Sequence, residues 1–339
     1  MSRERKLIKY ILARLALIPV MLWLISSFVF ILLRIAPGDP VDALLGSRAS
    51  ESARIALRAK LGLDKSIWLQ YYEYINQLIH LNLGKALINQ ESVNLIISKS
   101  LPATIELAVF SLLIAIIIGV IVGFSGIAKR EGKIDVFGRL FGISTYALPP
   151  FWAAMISQLI FAVVLGWFPV GGRFPISIEQ PQGTGFLIID SIMQLNLEAL
   201  NGAIRHLLLP SMVLGFLLSG IFSRTLRLSL SKSLNDEHIE ASRSRGIRER
   251  ELIIKHALPN ALLPVLTIMG LTLTSLIGGA LLIEITFSWP GIALRLQEAI
   301  TQRDYPVVQG IVVIISSLIV IISVTFDVII SIIDPRISY

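Results

Sequence analysis

Six stretches of the chain are apolar over about the 20 residues that a helix needs to cross a bilayer: 10–33, 103–127, 140–165, 207–223, 261–283 and 308–333. The pattern predicts six membrane helices and, the number being even, both chain ends on one side. The fourth stretch is the weakest, since it holds Pro210, Gly215 and Gly220 and runs into Arg224. Pro149-Pro150 interrupts the third. There the backbone ladder breaks, and carbonyls freed inside a membrane must face protein or a wet cavity. Gly119-x3-Gly123 and Gly138-x3-Gly142 lie in or beside the second and third stretches. That spacing lets helix backbones approach closely and predicts a packed bundle.

Composition agrees. Of the 339 residues 54% are hydrophobic and only 16% charged, where a soluble domain carries roughly a quarter charged. The basic cluster from Arg3 to Lys6 precedes an apolar run that is long and has no small-residue cleavage site, so it reads as a retained anchor rather than a signal peptide. The formal charge of +7 implies no nucleic acid, because location decides its meaning. With both ends cytoplasmic, the inner segments hold 18 of the 30 basic residues, although the outer segments 34–102, 166–205 and 284–307 contain about twice as many positions. The bias favours both termini in the cytoplasm. Cysteine is absent, which removes disulfides, thiolate metal sites and cysteine nucleophiles.

The longest inner loop, 223–260, has the pattern of two short helices. Asn235-Asp236 caps an acidic first turn, the helix runs to Arg245, and Gly246 ends it by accepting a left-handed conformation. A second helix carries Leu252, Ile253, Ile254, Ala257 and Leu258 until Pro259 breaks the pattern where the fifth span begins. The first helix is polar and pinned at both ends, which suits docking onto another protein.

The run Glu240-Ala241-Ser242-x3-Gly246-x9-His256-Ala257-Leu258-Pro259 resembles the cytoplasmic motif of bacterial ABC importer permeases: Glu-Ala-Ala, Gly four residues on, then Ile-x-Leu-Pro. It departs at Ser242 and His256. Further landmarks resemble the dipeptide, oligopeptide and nickel branch, in order: Arg34 to Pro40; Leu61-Gly62-Leu63-Asp64 with Gln70-Tyr71; Leu101 to Leu107; Leu148 to Trp152; Gly166 to Gly172; Pro290-Gly291; Arg303-Asp304-Tyr305-Pro306; and Asp334-Pro335-Arg336. His80 to Gly84 departs from the branch's usual Gly-Asp-Leu-Gly. The resemblance implies an all-α membrane protein with the six-helix type I importer fold in a bacterial inner membrane. It implies an N-terminal region, 1–100, with the first span and a long outer loop, and a core, 101–334, containing the coupling segment 235–259. Glu240, Ala241, Ser242, Gly246, Leu258 and Pro259 would form the coupling contact. The implied partners are a second permease subunit, two ATP-binding ABC subunits and an extracytoplasmic binding protein. The implied cargo is a peptide or a nickel complex.

Chemistry of its own is not apparent. There is no Gly-x4-Gly-Lys-Ser/Thr phosphate cradle; the nearest glycine-rich run, Gly123 to Gly126 with Lys129, has the wrong spacing. His80, His206, His238 and His256 show no metal-ligand spacing. The chain is therefore expected to be non-catalytic, without cofactor or metal. Glu106 and Glu284 fall near outer span ends, where structural or interfacial roles are expected, and Asp327 near an inner end, within reach of a neighbouring arginine. Arg34 would anchor the end of span one. Trp68, Tyr71, Tyr72 and Tyr74 read either as interface anchors or as contacts for a delivery protein. Asn82 to Gly84 and Ser98 to Ser100 supply turn residues. Two other classes remain open on the residues alone, an ion-coupled secondary transporter and a membrane assembly protein that moves no solute.

Overall fold

The computed structural model describes residues 3–35, 40–45, 49–125 and 132–333. Ala36 to Asp39, Gly126, Lys129 and Asp334 to Arg336, all singled out above, lie outside them. In chain order the helices are α1 (Arg3–Ile35), α2 (Pro40–Leu45), α3 (Glu51–Lys60), α4 (Ile67–Ile79), α5 (Val93–Phe124), α6 (Lys133–Ala147) and α7 (Pro150–Ser157), which continues into a π-helical turn (Gln158–Val164). There follow α8 (Leu187–Met193), α9 (Leu197–Ser233), α10 (Glu237–Ser244) and α11 (Glu249–Glu251), the last running through a second π turn (Leu252–Ala257) into α12 (Leu258–Gly279). The series ends with α13 (Leu281–Thr286), α14 (Ile292–Thr301) and α15 (Tyr305–Ile333). Among the described residues no strand forms beyond one isolated bridge, Lys85 to Ser92.

Among the described residues five helical segments are long and apolar enough to cross a membrane: Ile11–Ile35, Val93–Phe124, Leu197–Ser233, Glu249–Ile277 and Tyr305–Ile333. The expected third span is a bent pair, Val136–Ala147 and Pro150–Val164, whose axes differ by 99°. Pro149 causes the bend. Lacking an N–H and restricting Leu148 before it, it ends α6, and the chain restarts with Pro150 in the first turn of α7.

Several expected boundaries move. The second span begins ten residues earlier, at Val93, so Ser98 to Ser100 are helical rather than turn residues, whereas Asn82 to Gly84 lie outside any helix, just after a turn at His80 and Leu81, with Gly84 at φ +83° and its N–H donating to Asn82 Oδ1 at 3.0 Å. Buried Pro102 is carried inside α5. The weakest apolar stretch becomes the longest helix: α9 has 37 residues, about 55 Å at 1.5 Å per residue, against a hydrocarbon core of about 30 Å. Pro259 does not break the fifth span either. It sits in the first turn of α12, and the π turn ahead of it shifts the ladder so that Leu258 donates to Ile253 O, five residues back. The missing proline donor is thereby accommodated within one continuous segment, Glu249–Ile277.

Small residues explain the prominence of α9. A Cβ on Gly119 would stand 2.5 Å from Phe222 Cβ and 2.9 Å from Ser219 O, and one on Gly123 would stand 3.1 Å from Ser223 O. On α9 itself, a Cβ at Gly215 would stand 2.8 Å from Ser111 O, and one at Gly220 would overlap the Thr145 hydroxyl. Both glycine pairs read from the sequence therefore face α9, the first from α5 and the second from α6, where Gly138 leaves room for the Arg227 side chain. Larger residues at these crossings would force the backbones apart.

Gly119→Val is expected to lower stability by about 1–3 kcal/mol through overpacking. Gly142→Ala, whose added methyl would meet only Gly220 O at 3.7 Å, should be nearly neutral. Thermal unfolding of the detergent-solubilised protein compares them.

Candidate functional site

The inner end of α9 delivers the polypeptide to the candidate docking segment. Leu230 and Leu234 are buried at that end. After a three-residue corner α10 begins, with Asp236 O accepting from Ile239 N at 2.9 Å. Asp236 takes the N-cap position, but the side-chain cap expected from Asn235-Asp236 does not form. Within α10 one residue is buried: Ile239 is 0% exposed and joins Leu234, Leu252 and Ala257 in the core cluster that continues into α5 and α9. A helix that is otherwise polar is thus seated by one isoleucine on the π turn below it.

The remainder of α10 is presented outward. Glu240 and Ala241 are exposed, and Ser242 is half-buried. The Ser242 hydroxyl donates to His238 O at 2.8 Å, so its polarity is satisfied within the helix and it presents a surface close to that of alanine. The first departure from the family motif therefore leaves the face small and smooth. His256, the second departure, is half-buried in the π turn.

Gly246 closes the segment. Its φ is +78° and an added Cβ would meet nothing within 4 Å. Glycine is needed there for backbone conformation and not for space. Its N–H donates to Arg243 O at 3.0 Å. Across the corner, Arg243 Nε and Nη2 donate to Glu249 Oε2 and Oε1 at 3.1 and 3.0 Å. The Arg243 pKa is raised further above its ordinary value, first by the hydrogen bond and then by the charge of Glu249. Leu258 is half-buried against the core, and Pro259 is exposed. The six residues named from the sequence therefore divide: Glu240 to Gly246 share one exposed elbow, whereas Leu258 and Pro259 stand beyond the π turn at the start of α12. Ile239 and the Arg243–Glu249 clamp were not anticipated. The only sign of the former was a lone apolar residue in a charged run, and the latter is an ordinary pair six residues apart.

At the opposite end of the bundle, carboxylates brace helices. Glu106 Oε2 accepts from Arg173 Nη2 at 2.6 Å with both side chains 7% exposed, and Glu106 Oε1 accepts from Ile188 N on α8 at 3.1 Å. Arg173 also donates to Gly185 O at 2.8 Å. Glu284 on α13 is fully buried, accepting from the Thr104 hydroxyl of α5 at 2.5 Å and from Leu294 N of α14 at 2.9 Å. Burial pushes its pKa up, and these hydrogen bonds oppose the shift. Trp289 Nε1 donates to Ala103 O at 2.9 Å. The structural reading of both glutamates fits this geometry. Asp327 meets Arg14 at 3.3 Å, and Arg34 donates to Gln70 Oε1 at 2.9 Å while lying 4.7 Å from the centre of the Phe30 ring. The loop aromatics divide, Tyr71 and Tyr74 packing on Phe30 while Trp68 and Tyr72 stay exposed.

A multi-pass helical bundle that presents a helical elbow at one end is an arrangement suited to a transport subunit. Residues 98–339 match the family described as binding-protein-dependent transport system inner membrane component, and residues 7–108 match its N-terminal companion. The chain belongs to this family of permeases, multi-pass proteins of the bacterial inner membrane. It is similar to the di/tripeptide transport system permease protein of Pseudomonas aeruginosa, at 34% identity over 98% of this chain and 99% of that one. The dipeptide transport system permease protein of Alkalihalophilus pseudofirmus is 37% identical over 96% and 97%. The probable D,D-dipeptide transport system permease protein of Escherichia coli is 34% identical over 91% of each chain.

Ile239→Ala is expected to cost about 2–5 kcal/mol of packing, spent locally on the seating of α10. Limited trypsin digestion should then cut faster after Arg243 and Arg245 than in wild type, with the bundle fragments left intact.

Proposed function

We propose that the chain is the permease subunit of an ATP-driven importer of di- or oligopeptides. The names of its relatives favour peptide over the nickel complex that the motif resemblance also allows. The observation that carries the mechanism is the exposed elbow, Glu240 to Gly246, seated by Ile239 on the core shared with α5 and α9. In this reading two six-span permease subunits of the type I fold, with the bent pair as the third span and all termini cytoplasmic, enclose the path. ATP is hydrolysed by two separate ABC subunits, and an extracytoplasmic binding protein delivers the cargo. Residues 1–100 form the N-terminal unit and 101–334 the core.

Mechanism then follows from rigidity and not from bond chemistry. Glu240, Ala241 and Ser242 dock into the ATPase subunit, Gly246 sets the angle between the docking helix and the chain leading to α12, and Leu258 and Pro259 fix the start of that helix. Closure of the ATPase pair moves α10. Because α10 follows α9 through a three-residue corner and is seated on the π turn before α12, the displacement enters two membrane helices together and tilts the bundle as a unit.

Gly246→Val places a β-branched residue in the left-handed region, where even an unbranched side chain costs about 1–2 kcal/mol. At wild-type abundance it is expected to reduce peptide uptake at least tenfold while ATP hydrolysis persists. Gly246→Asn, tolerated in that region, should retain more uptake than the valine variant. Wild-type uptake by Gly246→Val would remove the elbow from the mechanism.

A further inference from the structure

The run Arg303-Asp304-Tyr305-Pro306 has one member without a task in the fold. Asp304 is buried and accepts from Leu87 N at 2.9 Å. Tyr305 is buried beside Arg34. The Arg303 side chain is exposed and makes no hydrogen bond or ion pair with any described residue. Its backbone is left-handed, with φ +56°, at the turn from α14 into α15. Glycine adopts that conformation without strain, and an outlier held by a larger residue is a reason to look for a role.

Arg303 stands on the wall of a cavity of about 390 Å³. The remaining lining is apolar apart from the Tyr305 hydroxyl: Val29, Leu32 and Leu33 come from α1, Leu296 and Ile300 from α14, and Val308 and Val312 from α15. Among the described residues no carboxylate lines it. Since α1 and α15 are both membrane-spanning segments, the groove opens at one end of the spans, where hydrocarbon meets headgroups. An apolar slot with a single cation and no counter-ion is complementary to an amphiphile carrying one anionic group.

We infer that this groove binds one phospholipid, an acyl chain lying between α1, α14 and α15 and the phosphate paired with Arg303. Bound there, the lipid bridges the first span to the helices that close the core, so it strengthens the seating of α1. Arginine suits the phosphate because its planar fork donates two hydrogen bonds at once.

The test uses the assembled importer, extracted in mild detergent and analysed by native mass spectrometry after delipidation and addition of dioleoyl phosphatidylglycerol. Wild type is expected to retain one lipid. Arg303→Gln should reduce retention at least fivefold, and Leu32→Trp, which fills the slot while leaving the cation in place, should reduce it comparably. Thermal unfolding of the wild-type complex needs no variant: phosphatidylglycerol should raise its midpoint, and dioleoylglycerol, with the same chains and no phosphate, should not. Equal retention by all three proteins would reduce the contact to ordinary surrounding lipid and overturn the inference. So would equal effects of the two lipids, or a wild-type groove that retains none because a segment of another subunit occupies it.

Discussion

Backbone-to-backbone contact between α5 and α9 is the constraint on which the arrangement depends. Within hydrocarbon there is no water to exclude, so helices associate only as far as their surfaces interlock and their polar groups find partners. Gly119 and Gly123 on one helix, with Gly215, Ser219 and Ser223 on the other, bring the two backbones close enough to interlock. From that contact α6 crosses at Gly142 and Gly220, and α12 packs along the same helix. Because α9 is much longer than the membrane is thick, its end leaves the bilayer region and leads directly into α10. The element that fixes the bundle therefore also leads, through a three-residue corner, into the docking helix, which rests on the π turn before α12.

The two ends of the bundle are held by different chemistry, which gives a force a direction. At one end Glu106, bound to Arg173 and to the Ile188 amide of α8, and Glu284, bound to Thr104 and an amide in the first turn of α14, join α5, α8, α13 and α14 through buried polar contacts. Breaking such a contact strands a buried polar or charged group, which is costly, so this end is rigid. At the other end α10 is held by one isoleucine, a left-handed glycine and a partly exposed ion pair. Exposed pairs of that kind contribute little to stability. In the proposed mechanism a partner moves the elbow without dismantling its seat, and the far end is the fixed point about which helices tilt.

Much of this was legible in the sequence, and the remainder was hidden for identifiable reasons. The Glu240 to Gly246 elbow was readable because its stopping residue, Gly246, is local, although the side-chain cap expected ahead of it does not form, and the helical bend was announced by Pro149-Pro150. The extent of α9 was not readable, because the glycines, serines and proline that allow close packing also lower its apolar content, so the central helix looked like the weakest. Pro259 misled because a proline's effect depends on the ladder before it, and nothing in the one-letter sequence announces a π turn. The Glu106–Arg173 pair joins residues 67 positions apart, and no periodicity connects them. Arg34 and Asp327 were better placed, since each lies at a span end where a charge needs an anchor or a partner.

The central claim is that force enters through the exposed face of α10, and the absence of cysteine from the chain makes a direct measurement simple. Single cysteines introduced as Glu240→Cys, Ala241→Cys and Ile239→Cys, in the assembled importer with an ABC subunit carrying one cysteine in its cleft, should be compared for oxidative cross-linking. The account predicts rapid cross-links from the first two, sensitive to ATP, and almost none from Ile239→Cys, whose side chain points into the core. Absence of cross-links from Glu240 and Ala241 in a complex that still imports peptide would contradict it.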